Sequence, residues 1–144
     1  MPEGGEMKQP DFKDLEALSR TIWGEARGEP RLGKTAVAHV ILNRWRAQRP
    51  RYGLTIWEVC RKPYQFSCWN EADPNLAVME SCALNDGPLR ECVVVALETI
   101  AGTTSDPTKG AKHYHSTGII PPPWAAQGQV SAEIANHIFY QGVP

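Results

Sequence analysis

The chain has 144 residues, enough for one domain around a single core, and its 42% hydrophobic and 22% charged content excludes disordered and fibrous classes. Its 15 basic against 16 acidic residues leave a net charge of −1, which argues against a nucleic-acid binder, since such a protein carries a basic excess or stripe. No apolar run is long enough to span a bilayer, so stable membrane insertion is not expected.

Residues 1–10 are polar and rich in Gly and Pro, lack the apolar segment of a secretory signal, and read as a flexible leader ahead of one domain over 11–144. Asp11 is placed to cap a helix carrying Phe12, Leu15, Leu18, Ile22 and Ala26 at steps of three and four, stopped by Gly28 and Pro30. A second helix is predicted from Lys34 to Arg49, with Ala36, Val37, Val40, Ile41 and Trp45 inward and Pro50 as its stop. Thr55 and Glu58 have capping-box spacing and predict a short third helix past Cys60. The stretch from Pro63 to Asn70 is aromatic and irregular, with one helical turn expected around Leu76 and Met79. Leu89, Cys92, Val93, Ala96, Leu97 and Ile100 mark a helix from Pro88 that Gly102 ends. Asp106-Pro107 opens a turn with an Asx-type cap. Lys112–Ser116 and Ile134–Tyr140 are the expected strands, the second open to a helical reading, with the rigid Pro121-Pro122-Pro123-Trp124 loop between them. The fold class is therefore α+β: a mainly helical single domain with a small antiparallel hairpin or sheet.

Four cysteines, Cys60, Cys68, Cys82 and Cys92, contain no C-x-x-C pair, so zinc-ribbon and thioredoxin-like motifs are not expected. Free, buried thiols are the favoured reading, with disulfides left open.

Glu25 is the informative residue. At roughly 100° per residue it falls at the border of the apolar arc of the first helix rather than on its solvated face. A carboxyl there is partly desolvated, which favours the neutral, proton-donating form that a glycosidase needs to protonate its leaving-group oxygen. Gly24 and Gly28 bracket it and would let a bulky substrate approach, whereas Arg27 would favour the ionised form. The competing reading is a surface salt-bridge partner.

The segments Ile22-Trp23-Gly24-Glu25-Ala26-Arg27-Gly28-Glu29-Pro30 and Ala36-Val37-Ala38-His39-Val40-Ile41-Leu42-Asn43-Arg44 resemble the opening of the spore-cortex-lytic cell-wall hydrolase family. So do Gln65-Phe66-Ser67, Asp106-Pro107-Thr108-Lys109-Gly110-Ala111 before His113-Tyr114-His115, and the terminal His137-Ile138-Phe139-Tyr140. The resemblance implies a lysozyme-like fold related to the lytic transglycosylases. It also implies cleavage of peptidoglycan between N-acetylmuramic acid and N-acetylglucosamine, with Glu25 as the acid and 11–144 as the catalytic domain. Without a visible signal peptide, the expected route is synthesis in the bacterial cytoplasm and action at the wall after release, as for a phage or prophage lysin that passes a holin-type pore.

Around Glu25 the remaining candidates are contacts to substrate. Gln65 lies in the irregular aromatic segment, where its amide can bond a sugar acetamido group or cap a turn; Phe66 and Trp69 can stack on sugar faces or sit in the core. Tyr114 and His115 alternate along a strand, so one of them faces the cleft, and His115 with Tyr140 is the favoured polar pair. Glu29, Glu71, Asp73 and Asp106 are the candidates for any second carboxylate, and neither a metal nor a cofactor is expected. Two other readings stay open: a peptidoglycan-binding module without catalysis, and a wall amidase or peptidase built on Cys68 with His113 or His115.

Overall fold

A computed structural model describes residues 7–63 and 65–144. Most of the leader expected over 1–10 lies outside the described residues, and 7–10 form no helix or strand. Helix α1 spans Phe12–Ala26, closed at its start by a reciprocal box in which Asp11 accepts from the Asp14 amide and Asp14 from the Asp11 amide. The other Asp14 oxygen accepts from the Trp57 amide at 2.8 Å, so the cap also ties α1 to the third helix. Leu18 and Ile22 are fully buried, each worth about 1.5–3 kcal/mol of apolar transfer. Phe12, expected on the inner stripe, is 65% exposed, because the first turn projects beyond the core.

Helix α2 spans Arg31–Ala47 and starts three residues ahead of the prediction, with Pro30 as its extended N-cap. It ends at Gln48, whose left-handed backbone (φ 52°) stops the helix before Pro50 can. Ala36, Val37, Ala38, Val40, Ile41 and Leu42 are all fully buried, so the middle of α2 is buried on every side rather than along one stripe, with His39 and Arg44 enclosed among them. Val37, Ala38, Ile41 and Leu42 join α1 and the remaining helices in the main core, while Ala36 and Val40 meet Ala111 and Phe139 of the sheet layer. The central helix is covered from both sides.

Helix α3 (Ile56–Arg61) has the Thr55 cap foreseen for it, although the Glu58 side chain reaches back to the Leu54 amide. Helix α4 (Leu76–Ser81) is short, and α5 (Gly87–Ala101) ends in left-handed Gly102. On α5 the buried positions are Leu89, Cys92, Val95, Ala96 and Thr99, whereas Leu97, read as an inward residue, is 49% exposed. The helix is rotated toward Val95 and Thr99, and the Thr99 hydroxyl is satisfied by the Val95 carbonyl.

Three strands follow: β1 (His113–Ser116), β2 (Gln129–Ile134) and β3 (His137–Gln141), ordered β1-β3-β2 and antiparallel throughout. The single strand expected over Ile134–Tyr140 is instead a hairpin. Ala135, at φ 51°, and Asn136 make the turn, and Gln129–Ile134 is the strand that the sequence did not signal. A register shift between Val130 and Ala132 turns the Ser131 hydroxyl to the Thr108 carbonyl at 2.8 Å.

Candidate active site

Glu25 sits on the last turn of α1, half-buried, where the chain leaves the helix toward Pro30. The phenol of Tyr114, on β1, donates to Glu25 Oε1 at 2.6 Å. Tyr114 is held between His137 (ring centroids 4.9 Å) and Phe139 (5.5 Å), so its hydroxyl has little freedom to turn away. Burial first, then the negative charge of Glu25, pushes the phenol well above its ordinary value, so it stays protonated and remains a donor.

Gly24 explains how the other wall comes so close. A Cβ on Gly24 would stand 2.6 Å from Cys68 Cβ and 2.9 Å from Met79 Sδ. The glycine therefore admits the turn at Ser67–Trp69 against α1, and the opening for substrate expected at Gly24 from the sequence is instead packing within the protein. Gly28 does face open space. Arg27, expected to crowd the carboxylate, is exposed and stacks over Trp23 at 4.7 Å. A groove of about 340 Å³ runs past Glu25 and Gly28 to Asn136 and His137.

Two of the four candidate second carboxylates are spent on architecture. Glu29 accepts from the Asn136 amide at 3.0 Å and its side-chain NH2 at 2.9 Å, which fastens the β2–β3 turn to the end of α1. His137 Nδ1 lies 3.5 Å from Glu29, and burial pulls this imidazole below its ordinary value, so the contact is one with a neutral ring. Asp106 accepts from Asn43, from the Thr108 amide and hydroxyl, and from the Gly110 amide. Burial opposes its charge, but those donors outweigh it and hold the carboxyl below its usual range. This is the Asx-type turn read from the sequence. Asp73 accepts from the Asn75 amide and Glu71 is exposed.

The structure separates the other candidates. Gln65 is exposed, and its carbonyl oxygen is held by the Arg44 guanidinium at 3.1 Å. Phe66 is only 2% exposed and is a core residue, out of reach of a sugar face. Trp69 is half-buried: its indole N–H donates to Thr21 at 2.8 Å, and Arg61 lies 4.1 Å over its ring. It borders a second groove of about 590 Å³ along the 61–72 segment. His115 and Tyr140, favoured as polar contacts, lie on the face of the sheet opposite Tyr114, because adjacent strand residues point to opposite sides. His115 Nε2 meets the Tyr140 hydroxyl at 2.8 Å and its Nδ1 the Ser116 carbonyl at 2.8 Å, so both ring nitrogens are occupied within the protein.

All four cysteines are free thiols. Burial, then the charge of Glu25, raises the Cys68 thiol far above the ordinary range, which keeps it a thiol and not a nucleophilic thiolate. With His115 fully engaged and His113 in an aromatic cluster with Tyr52 and Trp124, the Cys–His pair of an amidase or peptidase is not formed. Two contributors escaped the sequence reading. Arg44 is 6% exposed: three and four residues after Ile41 and Val40 it falls in the inward arc of α2, but a charged residue there was not read as inward, and His137 lines the groove from a strand whose start was misplaced.

Solved structures share this architecture. The catalytic domain of the germination-specific lytic transglycosylase SleB from Bacillus anthracis is 26% identical, with a TM-score of 0.72, covering 98% of this chain and 100% of that one. The catalytic domain of the Bacillus cereus SleB protein is 28% identical at a TM-score of 0.73, covering 96% and 99%. The fold is thus the α+β fold of SleB catalytic domains. The Cell Wall Hydrolase family model matches residues 28–140, and the chain belongs to that family. Spore cortex-lytic enzymes of Halalkalibacterium halodurans and Bacillus subtilis are each 30% identical over 126 residues, 88% of this chain but 34% and 37% of those proteins. The chain spans little more than a third of their length.

Proposed function

We propose that this chain cleaves the glycan strands of peptidoglycan between N-acetylmuramic acid and N-acetylglucosamine, with Glu25 as general acid and then general base. The observation that carries the reading is the Tyr114–Glu25 contact at 2.6 Å, at the head of an open groove in a member of the Cell Wall Hydrolase family. With Oε1 accepting from Tyr114, Oε2 is the oxygen left to deliver a proton. Glu25 donates it to the glycosidic oxygen as positive charge develops on the muramic acid anomeric carbon. The resulting carboxylate then takes the proton of the sugar's own 6-hydroxyl, whose oxygen attacks that carbon and closes a 1,6-anhydro ring. One carboxylate performs both steps, with the substrate's acetamido group available to support the cation.

This non-hydrolytic course is favoured over water attack because Glu29, the nearest further carboxylate in the sequence, has both oxygens committed to Asn136. A retaining or inverting hydrolase of the usual kind needs a second acid free to attack or to position water. The B. anthracis neighbour is itself described as a lytic transglycosylase.

The test is mass spectrometry of the products released from purified sacculi. Anhydro-muramic ends are expected; reducing ends would indicate hydrolysis, and intact glycan with cut peptides would exclude the reading. Glu25→Gln should abolish release, a loss of at least about 100-fold, with the thermal transition unchanged. A Glu25→Gln protein that binds sacculi equally well and still lyses them would remove this residue from the centre of the mechanism.

A further inference from the structure

Arg44 is 6% exposed, and among the described residues it forms no ion pair with a carboxylate. A buried guanidinium without a counterion is costly unless its N–H groups and its faces are satisfied. Here Nε donates to the Lys112 carbonyl at 2.6 Å, at the entry to β1, and an Nη donates to Gln65 Oε1 at 3.1 Å. The rings of Tyr52 (5.5 Å) and Phe66 (5.1 Å) lie against it. These four contacts come from three segments, the chain after α2 (Tyr52), the 65–69 turn (Gln65 and Phe66) and the entry to β1 (Lys112), so the guanidinium fixes α2 relative to each.

The polarity of the Gln65 contact follows from chemistry alone. Guanidinium has five donors and no acceptor, so the amide atom that faces it must be oxygen. The carboxamide NH2 is therefore turned away from Arg44, on a side chain that is itself exposed. Gln65 stands three residues before Cys68, which packs on Gly24 beside Glu25, so its backbone is within about 10 Å of that contact by chain length. An exposed amide whose carbonyl is already occupied and whose NH2 is turned away from Arg44 is a fixed hydrogen-bond donor, held by a guanidinium that itself lies within charge range of Glu25 and Tyr114.

We infer that Arg44 is a positioning residue that presents the Gln65 NH2 to the substrate, and that Gln65 recognises an acceptor oxygen on the glycan strand: an amide carbonyl or a carboxylate. The inference rests on the glycan-cleaving reading above and deepens it. Peptidoglycan offers the acceptor from two sources, the N-acetyl carbonyls of the sugars and the carboxylates of the stem peptide.

Gln65→Glu separates recognition from architecture, because a carboxylate keeps and strengthens the Arg44 contact while replacing the outward donor with an acceptor. The expected result is a KM for glycan strands raised at least about tenfold with kcat within about twofold, and a melting temperature no lower than that of the parent. Arg44→Lys should raise KM in the same way, since a point ammonium cannot hold Gln65 and Lys112 together. The parent and Gln65→Glu are then compared on de-N-acetylated strands and on strands stripped of peptide. Loss of the difference on the first assigns the acceptor to the acetamido carbonyl, and on the second to a peptide carboxylate. An unchanged KM for Gln65→Glu on intact strands, or a difference that survives on both modified substrates, overturns the inference. A parent protein that releases no glycan fragments overturns the glycan-cleaving reading instead, so the two failures are told apart.

Discussion

On one face of the β1–β3 pair, Tyr114, Phe139 and His137 look toward α1 and α2; on the other, His113, His115 and Tyr140 pack under Trp124. Both faces are aromatic and both carry histidine. On the inner face the polar group of Tyr114 is aimed at the half-buried carboxylate of Glu25 across 89 residues of chain. On the outer face the polar atoms bond to each other: Tyr140 to His115, and His115 to the Ser116 carbonyl. Composition does not distinguish a site from a structural cluster, whereas the partner of each polar atom does.

Substitutions that delete one hydroxyl from each face turn this contrast into measurement. Tyr114→Phe should lower activity by about 10- to 100-fold, the worth of a hydrogen bond to a charged group, with binding to sacculi retained; assay of muropeptide release checks it. Tyr140→Phe should leave activity within about twofold and cost about 1–3 kcal/mol of stability, because His115 Nε2 is left buried without a partner. Denaturant unfolding reads that loss. The contrast breaks if the two variants exchange phenotypes.

A smaller effect concerns acid. His113 on the outer face is lowered from the ordinary 6.5 to about 4, by burial and then by Arg44, Arg51 and Lys112. The folded protein keeps this ring neutral while the unfolded chain takes up a proton below about 6.5. Its contribution is complete above that pH and declines as pH falls toward 4. His113→Phe should flatten the fall of the melting temperature over this window without changing the pH dependence of catalysis.

Local signals placed the helices well. Asp11 and Thr55 cap α1 and α3 through bonds to residues three positions on, and Gly102 takes the left-handed conformation that ends α5. The β2–β3 hairpin was not legible, because its turn is Ala135-Asn136 and lacks the glycine that marks most tight hairpins. The same limit governed the site. Period alone put Glu25 at the edge of the apolar arc and left it there; it also put Arg44 in the inward arc of α2, three and four residues after Ile41 and Val40, but nothing local shows which groups would satisfy a buried guanidinium there. Phe66 was open to either a sugar face or the core from its sequence, and only the tertiary structure places it in the core.

What the amino-acid order settled by itself is whatever depends on residues within one turn of each other: the caps of α1 and α3, the Gly102 stop of α5, the inward Leu18, Ile22 and Ala26 of α1, and the position of a lone carboxylate at a helix border. Tertiary structure alone decided which of Tyr114 and His115 meets that carboxylate. Strand alternation guarantees that the two point apart, but the choice of side is made by the pairing of β1 with β3 and by Phe139 docking on α2. Both are contacts between residues far apart in the chain, whose energies exist only once the core has closed.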